Sequence, residues 1–194
     1  YLYHESMRTQ ATNINGYLID ADDVYIRTRK QPLTRYLPAM TFGSMPRDGG
    51  NLILSETDLT DLKNTDPQAE SFVKAYCGAK DFIEGNQRYC LWITDTQVQE
   101  AQASPWISRR LRAVSEYRQT SDASSTAKYA NRPHLFVQRA YKPTDSIIVP
   151  SVSSERRRYV PIGYLGADTV ISNLAFAVYD AEPWLFALLT SRMH

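Results

Sequence analysis

Apolar and polar positions along the chain alternate over short stretches, and helical spacing is confined to a few places. Ile14 to Leu18 reads as a short extended piece, followed by an acidic turn through Asp20, Asp22 and Asp23 and a strand from Val24 to Arg29. Turn chemistry accounts for those aspartates better than a cation does, since Asp closes turns on its own backbone. A connection punctuated by Pro32 and Pro38 leads to a glycine-rich bend from Gly43 to Gly50 and a strand from Asn51 to Leu54. Ser55 caps a helix through Lys63, and Pro67 occupies the first position of a second helix, from Asp66 to about Tyr76. Arg88 to Ile93 is an apolar, aromatic run with the character of a buried strand.

The second half continues in short elements. Asp95 to Ala101 is helix-like, and Ser104-Pro105 opens a longer helix to about Gln119. Its Ile107, Leu111 and Val114 share one face, with Arg109, Arg112 and Glu116 opposite. Ser121 to Ala130 is polar and short-chained, a loop suited to ordering on a ligand. His134 to Val137 predicts a strand, and Arg139 to Asp145 a turn. Ile147 to Val149 and Tyr159 to Ile162 are β-branched, apolar flanks around a polar centre. Thr169 to Tyr179 is a strand or strand pair, and Glu182-Pro183-Trp184 opens a closing helix through Thr190. Strands outnumber helices and no βαβ alternation occurs, which predicts an α+β fold, a mostly antiparallel sheet with flanking helices. The 194 residues fit a single domain, 1–194, large enough to bury a full core.

Composition narrows the function classes. No apolar run approaches the length of a membrane span, and the first residues have neither the basic start nor the hydrophobic core of a signal peptide, so a cytoplasmic address is expected. The chain lacks an initiating Met and stops just after an apolar stretch, the pattern of a fragment of something larger. Cys77 and Cys90 read as reduced, half-buried thiols, and the scattered His4, His134 and His194 form no zinc pattern. The glycine-rich bend has no Gly-Lys-Ser/Thr ending and so is not a phosphate loop. The net charge of +1 conceals an asymmetry: residues 109 to 158 hold 11 Lys and Arg against 4 Asp and Glu. A basic second half suggests one face built for a polyanion.

The densest chemistry lies in Ser153-Ser154-Glu155-Arg156-Arg157-Arg158. Three adjacent guanidiniums repel one another and cannot all be buried, so their missing partner is an anion or a set of base edges. Arginine's planar fork grips phosphate or a guanine edge with two hydrogen bonds, Glu155 can accept from a cytosine amine, and Ser153 and Ser154 are adaptable partners. Arg109, Arg110, Lys128 and Arg132 are candidates for phosphate contacts. Two rival readings stand beside this one. In the first, a protein-interaction module, the arginines meet an acidic partner and the helix from Ser104 docks on a neighbouring domain. In the second, a free-standing nuclease uses Asp48 and Asp61 with Lys63.

Several blocks in their present order resemble one family, the target recognition domain of MmeI-like restriction-modification DNA methyltransferases. They are Ile14 to Leu18, Met45 to Leu52, Gly85 to Trp92, Val149 to Gly163 and Leu188 to His194, which together span nearly the whole chain. The resemblance implies a domain that lies in the major groove of double-stranded DNA and selects the sequence to be methylated, with base contacts near Ser153 to Arg158. It further implies a methyltransferase core in the same polypeptide, transferring a methyl group from S-adenosylmethionine to the exocyclic amine of a flipped-out adenine. That chemistry requires an Asn/Asp-Pro-Pro-Tyr/Phe motif and a glycine-rich cofactor turn. The 194 residues contain neither, so no catalysis and no cofactor site are expected within them.

Overall fold

Two four-stranded sheets carry the larger of the chain's two compact units, Thr34–His194, while Tyr1–Leu33 forms the other. The computed structural model describes residues 1–191 apart from Glu5, Ser6, Ile26, Arg27, Arg29, Lys30, Leu33, Glu155 and Arg158. In the smaller unit, β1 (Leu2–His4) and β2 (Met7–Thr9) pair antiparallel as a hairpin, followed by a loop closed on Asn15 and Asp20. Of the strand expected over Val24 to Arg29, Val24, Tyr25 and Thr28 carry no strand, and Ile26, Arg27 and Arg29 lie outside the described residues.

The larger unit runs β3 (Met40–Phe42), β4 (Ile53–Leu54), α1 (Glu56–Thr65), a 3-10 turn (Pro67–Phe72), β5 (Val73–Cys77), α2 (Ala79–Glu84) and β6 (Arg88–Leu91). It continues with α3 (Val98–Ala103), α4 (Pro105–Gln119), α5 (Ser124–Ala127), β7 (Ser146–Pro150), β8 (Gly163–Leu165), β9 (Thr169–Ile171), β10 (Ala175–Tyr179) and α6 (Pro183–Leu189). The sheet orders are β3-β10-β7-β8 and β4-β6-β5-β9. Among the described residues every strand pairing except β5 with β9 is antiparallel, and helices flank the sheets, so the α+β expectation holds. β9 belongs to one sheet and β10 to the other, so the turn between them ties the two together.

Local chemistry explains the helix starts. Ser55 Oγ accepts from the Asp58 amide at 3.2 Å while the Asp58 carboxylate accepts from the Ser55 amide at 2.9 Å, a reciprocal cap of α1 worth about 1 kcal/mol. Ser104 Oγ accepts from the Ile107 amide at 3.1 Å, and Pro105 fills the first position of α4, where its missing N–H costs nothing. The main core lies where α1 and α4 meet the β4-β6-β5-β9 sheet, with Leu52, Leu62, Leu91, Ile107 and Val114 fully buried. A second cluster, around Ile148, Ile171 and Ala177, links the two sheets. A third, around Ile147, Val178 and Leu185, seats α6 on the β3-β10-β7-β8 sheet.

Three expectations are corrected. The helix from Asp66 ends at Phe72, because Val73–Cys77 enters the sheet between β6 and β9, where pairing on both sides outweighs a weak local helix preference. His134 to Val137 is not a strand: Leu135 and Phe136 are buried in a turned segment, and only Gln138 bridges, to Met45. The strand expected at Tyr159 to Ile162 begins instead at Gly163, set by its pairing with Ile148.

Candidate nucleic-acid interface

β7 lies inside its sheet, hydrogen-bonded to β10 on one side and β8 on the other, with Ile147 and Ile148 fully buried. The connection that leaves it, residues 151–162, stands on a rigid base. Ser151 Oγ donates to the Leu174 carbonyl at 3.2 Å, fastening the start of the loop to the turn between β9 and β10. At the tip the Arg157 amide donates to the Ser154 carbonyl at 3.0 Å, and the Arg156 amide to Ser154 Oγ at 3.3 Å. Both oxygens of Ser154 thus accept within a turn at the tip, and its hydroxyl keeps a proton to donate. Ser153, Ser154, Arg156 and Arg157 are all exposed, and no side-chain bond from Arg156 or Arg157 to a carboxylate occurs among the described residues. Glu155 and Arg158 lie outside the described residues.

The four arginines and lysines expected at phosphates divide into two kinds. Arg110 forms an ion pair with Asp58, donates to the Asn51 carbonyl at 3.1 Å, and lies over the Trp106 ring at 4.4 Å, so its guanidinium already ties α4 to α1 and to the segment before β4. Arg132 pairs with Asp95 at 2.5 Å, and His134 Nε2 meets the same carboxylate at 2.9 Å. These partners, Arg132 first, pull the Asp95 carboxyl down to about 2. Arg109, on the outer face of α4, and Lys128, just past α5, are exposed and bonded to no carboxylate among the described residues.

The residues of the nuclease reading have structural tasks. Asp48 is buried and accepts from the Leu52 amide, and Asp61 accepts from the Trp106 indole N–H at 2.7 Å. Lys63 pairs with Glu70 at 2.8 Å. Among the described residues no three His, Cys, Asp or Glu side chains gather as metal ligands. Cys77 and Cys90 are free thiols, and burial pushes Cys77 up to about 11 and Cys90 higher still. No helix among the described residues is long and apolar enough to cross a membrane.

One residue escaped the sequence reading. Arg118 is completely buried and donates all five of its N–H groups to main-chain carbonyls: Nε to Arg47 at 2.9 Å, one terminal nitrogen to Tyr129 at 3.2 Å and Arg132 at 3.0 Å, the other to Pro46 at 2.8 Å and Leu135 at 2.7 Å. Its position was the available signal. Ile107, Leu111, Val114 and Arg118 follow one another at helical spacing, so the apolar stripe of α4 continues straight into a charged side chain.

With this architecture in view, the chain belongs to the MmeI target recognition domain family, whose model matches residues 20–194. Among proteins of known role, "DNA methyltransferase A" of Bacillus subtilis (strain 168) is 38% identical over 194 residues, covering 100% of this chain and 22% of that protein. Among solved structures, the type IIL restriction-modification enzyme MmeI in complex with DNA superposes with a TM-score of 0.81 at 34% identity, covering 98% of this chain and 25% of that one. The chain thus spans about a quarter of the length of each of these relatives.

Proposed function

We propose that this chain reads a specific sequence in double-stranded DNA through the loop between β7 and β8, on behalf of a longer, cytoplasmic polypeptide that methylates the site. The observation that carries the reading is the contrast among arginines. Arg88, Arg110 and Arg132 are each closed by a carboxylate of the chain, whereas Arg156 and Arg157 stand exposed on a rigid base with none among the described residues. A guanidinium left open in that way is completed by a guanine edge or a phosphate. The family membership and the DNA in the MmeI structure support the choice of duplex over an acidic protein partner.

In this reading Ser153, Ser154, Glu155, Arg156, Arg157 and Arg158 form the base-reading set, and Arg109 and Lys128 contact phosphates, with Arg110 and Arg132 serving the fold. Loop residues on a fixed scaffold suit this task, because the scaffold sets register while the tip is free to specialise. The methyl transfer itself, to the N6 amine of adenine from S-adenosylmethionine, belongs to the remainder of the polypeptide. The test is to select preferred duplexes from a random pool and titrate Arg156→Ala, Arg157→Ala and Arg158→Ala against selected and scrambled sequences. At least one variant loses discrimination at a single base pair; unchanged binding by all three ends the reading. Displacement by heparin as readily as by the selected duplex points instead to a general acidic partner.

A further inference from the structure

The two faces of the β3-β10-β7-β8 sheet are covered unequally. Ala175, Ala177 and Tyr179 of β10 turn to the cluster that links the two sheets, and on the opposite face Ile147 and Val178 pack in the cluster that seats α6. The next row on that second face is left open. Phe42, Phe176 and Val149 stand directly opposite one another across β3, β10 and β7, so their side chains emerge side by side. The Phe42 and Phe176 rings lie 4.6 Å apart between centroids, inclined at 34°. Phe42 is 53% exposed, and neither ring enters any of the three core clusters.

A ring pair steadies two strands, but that task calls for no exposed edge. β3 is the outermost strand of its sheet, all three of its residues are exposed, and it carries no charge. Edge strands are ordinarily blunted by charged side chains or covered by another segment, so a bare apolar edge signals a contact. The strip continues to the base of the loop between β7 and β8. Leu174, 65% exposed, is joined through its carbonyl to Ser151 Oγ, and Val152 follows, 77% exposed. Residues 39–46, 149–152 and 172–177, which make up the strip, contain no Asp or Glu. Arg47 follows the first of these segments directly, and the exposed Arg156 and Arg157 lie in the loop that leaves the second. An apolar strip free of carboxylates and bordered by guanidiniums suits a polyanion whose edges also present apolar groups.

We propose that the Phe42–Phe176 pair reads thymine, holding the 5-methyl group of one A·T pair in the major groove beside the bases that the arginines contact. The inference deepens the proposed DNA reading and rests on it. In an unmodified duplex the thymine methyl is the one apolar group on the major-groove base edges, so an aromatic strip there has a single complement. Arginine forks select guanine; the rings add a position that those forks do not read.

The test removes that methyl group alone. Each thymine of the selected duplex is replaced in turn by uracil, and binding by the full-length protein is titrated. One replacement is expected to weaken binding about threefold to fivefold, the worth of one buried methyl group. Phe42→Ala abolishes that preference for thymine, whereas Arg157→Ala weakens binding and leaves the preference in place, which separates contact with the ring from a change in duplex shape. The unmodified protein supplies a second measurement that does not depend on whether Phe42→Ala folds: 5-iodouracil at the sensitive position, irradiated in the complex, attaches to Phe42 or Phe176. Indifference to every exchange, a preference that survives Phe42→Ala, or attachment elsewhere in the protein overturns the inference and leaves the DNA reading standing. A protein that selects no duplex removes both.

Discussion

The guanidinium of Arg118 donates to the carbonyl oxygen of Leu135 across 2.7 Å in the interior of the protein, and no carboxylate shares the bond. The same side chain reaches Pro46 and Arg47 in the glycine-rich bend and Tyr129 and Arg132 beyond α5. One residue thereby satisfies buried carbonyls from three segments that lack ladder partners of their own. Burial lowers the pKa of Arg118, yet five aligned carbonyl dipoles keep it charged. This side chain fixes the bend, the α5 segment and the turn at Leu135 to one another, together with the bonds from Arg47 to Ser125 at 2.9 Å and Thr126 at 2.8 Å and the bridge between Met45 and Gln138.

Removing it takes the donor from the Pro46, Arg47 and Leu135 carbonyls and leaves those of Tyr129 and Arg132 with only the Arg132 and Leu135 amides. Arg118→Ala is expected to lower stability by about 3 kcal/mol or more, and Arg118→Lys, with three donors and no planar fork, by about 1–3 kcal/mol. Urea unfolding followed by tryptophan fluorescence measures both. A loss below about 1 kcal/mol for Arg118→Ala shows that water replaces the guanidinium and that the network is dispensable.

Gly43 is the second weak point. A Cβ there would lie 2.3 Å from the Ser172 carbonyl oxygen and 2.4 Å from that of Ile171, both main chain and unable to rotate away. At this crossing the Gly43 amide donates to Ala175 at 3.1 Å and the Ser44 amide to Ile171 at 2.7 Å, so the backbone after β3 lies directly on the turn that joins the two sheets. Gly43→Ala is expected to destabilise by at least about 3 kcal/mol. Gly50→Ala is the comparison: no atom lies near its Cβ, but its φ of 84° makes alanine strained, so a loss of about 1 kcal/mol is expected there. Thermal unfolding of the two variants side by side decides whether close approach or backbone conformation costs more.

What could be read in the sequence was what side chains do to their own neighbourhood. Ser55 with Asp58 and Ser104 with Pro105 mark helix starts through bonds spanning three residues, and both starts stand where expected. β5 was illegible, because Val73–Cys77 becomes a strand through its pairing with β6 on one side and with β9, about a hundred positions away, on the other, whereas β9 and β10 both fall within the strand pair expected over Thr169 to Tyr179. The resemblance blocks proved to mix two meanings. Met45 to Leu52 supplies carbonyls to Arg118 and the buried Asp48, and Gly85 to Trp92 supplies the Arg88–Asp81 pair that braces α2, so these blocks build the scaffold. Val149 to Gly163 carries two exposed arginines, Arg156 and Arg157, at the tip of a loop. The Arg-rich run stands out in the sequence because its charges exceed those of its sequence neighbours, whereas the ion pairs of Arg110 and Arg132 were not legible, since Asp58 and Asp95 are distant in sequence.

Alkaline pH should loosen the protein through four acids, the half-buried Cys77 and the buried Cys90, Tyr76 and Tyr179. Burial raises Cys77 from the ordinary thiol value of 9.0 to about 11 and Cys90 higher still, and Tyr76 and Tyr179 from 10.0 to about 12 each. The folded state therefore holds these protons after the unfolded chain has released them, so stability is intact below pH 9 and falls as the pH climbs from 9 toward 12. Urea midpoints between pH 8 and pH 11 are expected to decline steadily, and Cys77→Ser to make the portion between pH 9 and pH 10 shallower. A flat profile in the unmodified protein shows that the four groups titrate normally.

The arginines themselves provide the last comparison. Arg157 is exposed and unpaired among the described residues, so Arg157→Ala is expected to leave stability within about 0.5 kcal/mol while costing DNA binding. If it reads a base, the loss is about 1–3 kcal/mol on the selected duplex and small on scrambled ones. Arg110→Ala should do the reverse. It leaves the half-buried Asp58 carboxylate, whose pKa is lowered in the fold despite burial, with its Ser55 partners alone and uncovers the Trp106 ring, so about 1–2 kcal/mol of stability goes with little change in selectivity. Lys128→Ala marks a third behaviour, weaker binding to every sequence and a salt dependence shallower by about one counterion. Titrations of the three variants at several salt concentrations distinguish a reader, a brace and a phosphate contact; a common response from all three would mean that the loop between β7 and β8 contributes only its charge.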